Sequence, residues 1–280
     1  MNNKTINKII SGSIFVLAIG LAVISCQKMN RPNLGDYPKD TNPPGGPLKF
    51  YAAMDGISLD SIRANFGVDN SVSYAQGVSG KAAQFDGSKN GYISFPSAND
   101  FGSSTSFTIS FWLNIKLSQK DNSHAVGVLA FANSKNFWSN IVFYADNNTK
   151  GTTDSMDLKI HFNAPNNGDN WNFANYNFSN AWPKMYDGNW HQVAFTYDKA
   201  TSTGTVYRDG AQFDKKTGQT IAFENSSNLI VGGFQEAAGI VGKYADNTWM
   251  AGFPGMIDQV RLYGTALTAA EIAALYNSKQ

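Results

Sequence analysis

Aromatic and asparagine residues alternate in one stretch of the chain, between Asn163 and Tyr186. The rings of this stretch are Trp171, Phe173, Tyr176, Phe178, Trp182 and Tyr186. Flat rings stack on the C–H faces of sugars, and amide side chains offer donors and acceptors to hydroxyl groups. The stretch therefore indicates a carbohydrate contact; its candidate residues are Trp171, Tyr176 and Trp182, with Trp138 and Trp249 added from other turn-rich stretches. The alternative is a small local core that holds a long loop in place.

The sequence contains no residue pattern typical of catalysis. The histidines have neither the spacing of a metal site nor a cysteine partner; they are His124, His161 and His191. A His-Glu-x-x-His motif, a Gly-x-Ser-x-Gly elbow and a phosphate-binding loop are all missing from the sequence. Two aspartates from separate loops would still suit a glycosidase. Whether the protein is an enzyme stays open, and a non-catalytic role is preferred.

The composition predicts an all-β protein. The 280 residues are 13% aromatic and only 15% charged, and they include 26 glycines. Only three glutamates occur, so long solvent-facing helices would lack their usual residues. The formal net charge is +1, and no basic run follows the extreme N-terminus. Nucleic acid is therefore not an expected partner.

The first 25 residues have the pattern of a secretory signal. Lys4 and Lys8 precede an uncharged, mostly apolar run from Ile9 to Ser25, which is short for a stable membrane span. A membrane-anchoring helix is the alternative. The following Val23-Ile24-Ser25-Cys26 resembles the lipobox of bacterial lipoproteins. The resemblance implies cleavage before Cys26 and acylation of its thiol with chains such as palmitate, which would anchor the protein stably in a membrane.

The residues after Cys26 form an expected tether. Gln27 to Pro47 contains five of the nine prolines, and proline restricts φ and cannot donate to a sheet. By analogy with lipoprotein sorting, Gln27 after the cysteine favours the outer membrane over the inner one. Whether the protein faces the periplasm or the cell surface stays open. We assign residues 1–25 to the signal peptide, 26–47 to the lipidated cysteine and tether, and 48–280 to one domain.

Short β-rich segments separated by Gly, Asn, Asp and Ser fill residues 48–280. In the segment Phe107–Leu113, apolar residues alternate with Thr108 and Ser110, which indicates a strand with one inward face. Trp112 breaks this alternation and is compatible with a core or a ligand-facing position. Thr268 followed by Glu271 predicts the capping box of one short C-terminal helix.

Five sequence blocks and the closing Leu267–Leu275 segment occur in an order that resembles the laminin G-like jelly roll of the concanavalin A-like lectin/glucanase superfamily. The blocks are Gly80–Gly87, Phe107–Trp112, Asp187–Tyr197, Val206–Gly210 and Gly255–Tyr263. The resemblance implies a two-sheet antiparallel β-sandwich with loops at the rim of a concave face. Within these blocks we interpret Trp190 as a buried aromatic residue, His191 as a polar group of a strand, Asp209-Gly210 as a hairpin turn and Arg261 as a charge that covers the sheet.

The resemblance further implies a calcium ion near the N-terminal strand and the final long strand. Asp55, Asp86 and Asp258 occupy matching motif positions, and calcium prefers carboxylate, amide and carbonyl oxygens. In the alternative interpretation, Asp86 only forms a turn and Asp258 only a strand-edge partner.

Taken together, these patterns predict an outer-membrane lipoprotein whose non-catalytic domain binds a glycan or polysaccharide. A protein–protein adhesion module or a structural subunit of an envelope complex is the second hypothesis, and it requires a large exposed apolar patch. A glycosidase or polysaccharide lyase is the third; for a glycosidase, two carboxylates should face each other across a cleft.

Overall fold

The computed structural model describes residues 46–88, 90–146, 154–166, 168–170, 181–243 and 246–279. The expected signal peptide, Cys26, nearly all of the expected tether, Trp171 and Tyr176 lie outside the described residues. The described residues belong to one compact unit. None of the helices in these ranges is both long and apolar enough to cross a membrane.

The described residues contain eighteen strands, which form two sheets. In chain order the strands are β1 (Leu48–Ala52), β2 (Leu59–Asp60), β3 (Asn65–Phe66), β4 (Val68–Asn70), β5 (Val72–Gln76), β6 (Lys81–Phe85), β7 (Tyr92–Phe95), β8 (Phe107–Lys116), β9 (Ala125–Asn133), β10 (Ile141–Asp146), β11 (Leu158–Ala164), β12 (Gly168–Asn170), β13 (Asp187–Asp198), β14 (Thr203–Arg208), β15 (Ala211–Lys216), β16 (Ser226–Val231), β17 (Met250–Ala251) and β18 (Met256–Tyr263). Helix α1 spans Ala269–Ser278, and short 3-10 helices span Asn99–Ser103, Leu117–Gln119 and Gln235–Ala238.

The two sheets are almost entirely antiparallel. The first sheet has the order β15-β14-β13-β8-β18-β1-β2-β3, with β6 paired to β18 and β5 paired to β6. The second has the order β12-β11-β10-β9-β16-β7-β4, and β17 pairs with β9 in parallel. The predicted two-sheet antiparallel sandwich with one C-terminal helix is confirmed.

The core between the sheets is built from alternate residues of the strands. Phe107, Ile109, Phe111 and Leu113 of β8 all point into it and are at most 1% exposed. Phe107 contacts Phe101, Phe195, Tyr197 and Phe223, with ring centroids 4.8–5.9 Å apart. Such edge and tilted contacts add to the free energy gained by burying the rings.

Helix α1 covers part of the outer face of the first sheet. Trp112 of β8 is 2% exposed and stacks on Tyr276 of the helix, with ring centroids 5.4 Å apart. Ile272 packs against Ala194 and Tyr207 on the same face. The break in alternation at Trp112 therefore marks a position beneath the helix. Thr268 caps the helix, because its side chain accepts from the Glu271 N–H and the Glu271 carboxylate accepts from the Thr268 N–H.

His191 is a structural residue held between two carboxylates. Its Nδ1 lies 2.9 Å from Asp209 Oδ2 and its Nε2 lies 3.1 Å from Asp187 Oδ1. Burial alone would lower the pKa of His191, but the hydrogen bonds and charges of Asp209 and Asp187 outweigh it and raise the pKa. Arg208 also contacts Asp209. The arrangement joins the start of β13 to the β14–β15 turn.

We predict that His191→Gln destabilises the fold more at pH 5.5 than at pH 9. A raised pKa in the folded state means that the stabilisation is fully present below the unfolded value of about 6.5 and is lost as pH rises through the folded value. At pH 5.5 the expected loss is about 1.5–3 kcal/mol, the range for hydrogen bonds to charged groups. Urea unfolding at both pH values measures it. His124→Gln, in a half-exposed ion pair with Asp121, is the control and should change little. Equal destabilisation of His191→Gln at both pH values would contradict the prediction.

Candidate functional site

Three aromatic side chains, Phe137, Trp138 and Trp249, come together on the outer face of the second sheet. We call them the aromatic platform. The Trp138 and Trp249 ring centroids are 5.5 Å apart, and Phe137 lies 5.1 Å from Trp138 and 6.4 Å from Trp249. Trp249 is 38% exposed, an unusual value for so large an apolar ring, whereas the other two are half-buried. The structure thus unites two of the sequence candidates, although 111 positions separate them.

Strands β10 and β11 support the platform from below. The Trp138 ring stacks on Tyr144 at 6.2 Å and contacts His161 at 5.6 Å. His161 is fully buried, and its Nδ1 lies 3.2 Å from the Trp138 carbonyl oxygen. Tyr144 in turn contacts Phe234, which also touches Trp249. Trp138 and Trp249 therefore rest on residues of the sheet and of the segment that follows β16.

A buried amide network fixes the loop that carries Trp138. The Gln235 side chain accepts hydrogen bonds from the Asn133 N–H and the Ser139 hydroxyl, and it donates to the Asn136 carbonyl oxygen at 2.7 Å. The Asn136 side chain accepts from the Trp138 N–H at 2.9 Å and donates to Asn163 at 3.0 Å. Fully paired buried amides hold one loop conformation, because every alternative leaves a polar group unpaired.

A buried carboxyl group adjoins the platform. Glu236 is only 3% exposed, and burial raises its pKa to about 8. Gly242 lies close to both Glu236 and Phe137. A Cβ placed on Gly242 would be 3.3 Å from Glu236 Cγ and 3.6 Å from the Phe137 ring. At neutral pH the Glu236 side chain is therefore mostly an uncharged acid, which keeps negative charge away from the rings.

A charged cluster lies next to Tyr144 on the same sheet face. Lys159, the register partner of Tyr144, contacts the carboxylates of both Asp146 and Asp157. Burial raises the pKa of Asp157 to about 6, with Lys159 opposing and Asp146 reinforcing the shift. The ammonium group lies within contact distance of both carboxylates, so the three side chains form an ion-pair cluster.

Trp182, the third carbohydrate candidate among the described residues, packs in the core. It is 4% exposed, its ring lies 4.5 Å from that of Phe213, and its backbone forms a bridge with Met156. The structure places it in the main core, so the interpretation of Trp182 as a surface contact is corrected. The end of the Asn163–Tyr186 stretch thus returns the chain to the sandwich, as the alternative interpretation of a local core requires.

Of the three aspartates predicted to bind calcium, Asp55 and Asp258 face the same loop, whereas Asp86 belongs to a separate turn. Asp258 Oδ2 accepts from the Val78 N–H at 2.8 Å, and Asp55 Oδ1 accepts from the Lys81 N–H at 2.7 Å, so both carboxylates face the loop between β5 and β6. Asp86 instead accepts from the Ser88 N–H at 2.8 Å within its own turn. In the ranges that the structure describes, no group of three or more His, Cys, Asp or Glu side chains could hold a metal ion.

Asp258 nevertheless has the properties of a cation ligand. It is completely buried, and burial raises its pKa to about 7, with the nearby charge of Asp55 adding to the shift. Its Oδ1 is buried without a hydrogen-bond partner among the described residues. An unpaired buried carboxylate oxygen is costly, and a cation bound between Asp258 and Asp55 would pair it. Calcium takes six to eight oxygen ligands, of which Asp55 and Asp258 would supply the two carboxylates.

Sequence reasoning missed Phe137, Gln235 and Glu236. Glu236 had a signal, because it is one of only three glutamates in an acid-poor chain. Gln235 had none, because its role depends on the distant residues Asn133 and Ser139.

Comparisons with known proteins agree with this architecture. A laminin G-like family model, described as the concanavalin A-like lectin/glucanases superfamily, matches residues 86–273. Comparison with curated proteins finds no match. Among solved structures, domain 4 of AbnA, an extracellular arabinanase from Geobacillus stearothermophilus in complex with arabinotriose, is 20% identical with a TM-score of 0.54; the match covers 82% of this chain and 98% of that domain.

Two further structures share the fold over part of their length. The binding domain of Paraclostridial Mosquitocidal Protein 1 is 16% identical with a TM-score of 0.57, covering 82% of this chain and 52% of that chain. A Trypanosoma rangeli sialidase in complex with 2,3-difluorosialic acid is 14% identical with a TM-score of 0.55. The match covers 86% of this chain and 35% of the sialidase chain. At these identities the similarity to solved structures establishes the fold alone. The family match shows that the chain belongs to the concanavalin A-like lectin/glucanase superfamily.

Proposed function

We propose that this protein binds carbohydrate through the aromatic platform. The observation that carries the proposal is the exposed Trp249 ring beside Trp138, held on a sheet face by buried, fully paired supports. Exposing a tryptophan to water costs hydrophobic free energy, and a sugar ring that stacks on it recovers that energy. A rigid platform also loses little conformational entropy on binding.

The surroundings of the platform suit a neutral glycan. Buried Glu236 is mostly uncharged and adds no negative charge beside the rings, while Lys159 balances its neighbouring carboxylates. The arabinotriose complex of the AbnA domain supports the same chemistry on the same fold. The ion-pair cluster offers no free acid–base pair, so we propose binding without catalysis.

We predict that Trp249→Ala weakens polysaccharide binding at least tenfold, which corresponds to about 1.4 kcal/mol of lost stacking. Isothermal titration of the full chain in detergent against plant, host and microbial polysaccharides measures the affinity. Phe66→Ala is the matched control, because Phe66 is 61% exposed and belongs to β3 of the first sheet. Unchanged affinity in Trp249→Ala, or no binding by the wild type across the panel, would reject the platform as a glycan site.

A protein partner is the second candidate function, and exposed apolar residues favour it. Phe66 and Val68 are 61% and 63% exposed, and they line a groove of about 360 Å³ with Tyr92, Pro96 and Ile240. Such a patch is typical of protein contacts. The same two variants separate the functions, because Phe66→Ala should impair only a protein contact and Trp249→Ala only a glycan contact.

We further propose that calcium binds between Asp55 and Asp258 and stabilises the loop between β5 and β6. The bound ion would supply positive charge to the buried Asp258 carboxylate. The support is the unpaired Asp258 Oδ1 and the convergence of both carboxylates on residues 78–81.

Calcium at about 100 times its Kd should raise the Tm by about 5–10 °C, since binding then contributes about 2.7 kcal/mol to a domain of this size. Thermal unfolding of chelator-treated protein, with and without added calcium, measures the shift. Asp258→Asn should abolish it, and Asp86→Asn should preserve it. A shift retained in Asp258→Asn would contradict the assignment.

We also propose that the chain is an outer-membrane lipoprotein anchored through Cys26. The support is the lipobox-like Val23-Ile24-Ser25-Cys26 after an apolar run. Cells fed labelled palmitate should incorporate the label into the wild-type chain and not into Cys26→Ser. The processed wild type should fractionate with outer membranes. Label retained in Cys26→Ser would contradict the proposal.

A further inference from the structure

One lysine side chain of the second sheet is buried between two carboxyl groups. Lys159 of β11 is 6% exposed, and Asp157 just before this strand is 3% exposed. Asp146, at the end of β10, lies directly across from Asp157, whose carbonyl oxygen accepts from the Asp146 N–H at 2.9 Å. Lysine and aspartate are almost never buried unless they are paired. Here the pairing also brings an amine together with the carbon of a carboxyl group.

The distances within this cluster allow a reaction between the side chains. Lys159 Nζ lies 2.5 Å from Asp146 Oδ2 and 3.9 Å from Asp157 Oδ2. The nitrogen therefore contacts the carboxyl group whose Cγ it would attack as a free amine. Asp146 Oδ1 is buried without a hydrogen-bond partner among the described residues. A buried charge costs more free energy than a buried neutral amide, so conversion of this carboxylate to an amide would lower that cost.

The second carboxyl group of the cluster is able to carry protons. Burial raises the pKa of Asp157 to about 6, with Lys159 opposing and Asp146 reinforcing the shift. An aspartate with the ordinary pKa of about 3.9 would hold far less of the protonated form near neutral pH. Asp157 Oδ2 is beyond hydrogen-bond distance of Lys159 Nζ in the unreacted arrangement, and such contacts tighten in the transition state.

We propose that Lys159 Nζ and Asp146 Cγ join in an intramolecular amide bond, with Asp157 as the proton carrier. The ammonium group first passes a proton to the Asp146 carboxylate, which gives a neutral amine and a neutral acid. The Nζ–Cγ bond then forms while protons move through Asp157, and the Cγ–Oδ2 bond breaks. Oδ2 leaves as water with two protons of the former ammonium group. Nothing is oxidised or reduced, and Asp157 ends in the protonation state in which it began.

Proximity and burial favour this reaction over an ordinary ion pair. Well-oriented groups held in contact react with an effective concentration of about 10⁵–10⁸ M. The low exposure of Lys159 and Asp157 keeps bulk water from the new bond, which slows its hydrolysis. In the ion pair of Lys49 and Asp100, by contrast, the carboxylate is 39% exposed and also contacts Arg63, so both charges stay solvated.

The amide bond would join the two strands that support the aromatic platform. Strand β10 carries Tyr144, on which Trp138 stacks, and Tyr144 is the register partner of Lys159 on β11. The chain has a single cysteine, so it cannot form a disulfide within itself for this purpose. An amide cross-link needs no oxidant and resists reduction. It would therefore fix the β10–β11 pair in any redox environment.

Peptide mapping of the full chain, purified in detergent, denatured and digested with trypsin, tests the proposal. Trypsin cleaves after lysine, so an unlinked chain releases peptides 136–150 and 151–159. A cross-linked Lys159 is no longer cleaved. We expect peptide 136–150 to be joined through Asp146 to Lys159 of peptide 151–184, and peptide 151–159 to be nearly absent. Tandem mass spectrometry should show fragment series from both N-termini and the loss of one water molecule.

Three variants separate the reaction from the ion pair. Lys159→Arg keeps the positive charge without a nucleophilic amine and should release peptides 136–150 and 151–159. Asp157→Asn keeps both reacting groups and removes the proton carrier, so it should also restore peptide 151–159. Lys49→Met, at the more exposed ion pair, is the matched control and should leave the joined peptide at its wild-type yield. Circular dichroism checks that each variant is folded.

The digest of the wild type decides the proposal even where a variant does not fold. Release of peptide 151–159 in full yield from the wild type overturns the amide bond. A joined peptide at wild-type yield in Asp157→Asn overturns the role of Asp157 as the proton carrier.

Discussion

The buried Gln235 side chain links the two segments that carry the aromatic platform. It is fully buried, and it pairs with Asn133, Asn136 and Ser139 of the loop after β9, while its neighbour Phe234 contacts Trp249. Trp249 is also fixed to the sheet directly, because the Ala125 N–H donates to the Trp249 carbonyl oxygen at 2.8 Å and β17 pairs with β9. The amide network stabilises the arrangement before any ligand arrives.

The outer faces of the two sheets are covered in different ways. Each sheet buries its inner face against the other, and each also carries apolar residues on its outer face. Helix α1 covers Trp112 on the first sheet and leaves a polar cavity beside it. Loops cover the second sheet and leave Trp249 exposed. The exposed ring on one face and the polar cavity on the other both follow from the incomplete coverage of a sheet.

The fold could be predicted from sequence because the central strands are strongly patterned. The segment Phe107–Leu113 and the Thr268 capping box appear where they were expected. Edge strands such as β5 and β15 were missed, since few of their residues are buried and alternation is weak. Trp138 and Trp249 could be named but not paired, because register and loop packing bring them together.

A crystal structure of the chain with the tightest-binding oligosaccharide of the polysaccharide panel tests the central claim most directly. We expect a sugar ring stacked on Trp249, with Trp138 beside it and the conformation of the Asn133–Asn140 loop unchanged. A sugar bound elsewhere while Trp249 stays bare, or a loop rebuilt around the ligand, would contradict the claim that a preformed aromatic platform binds the glycan.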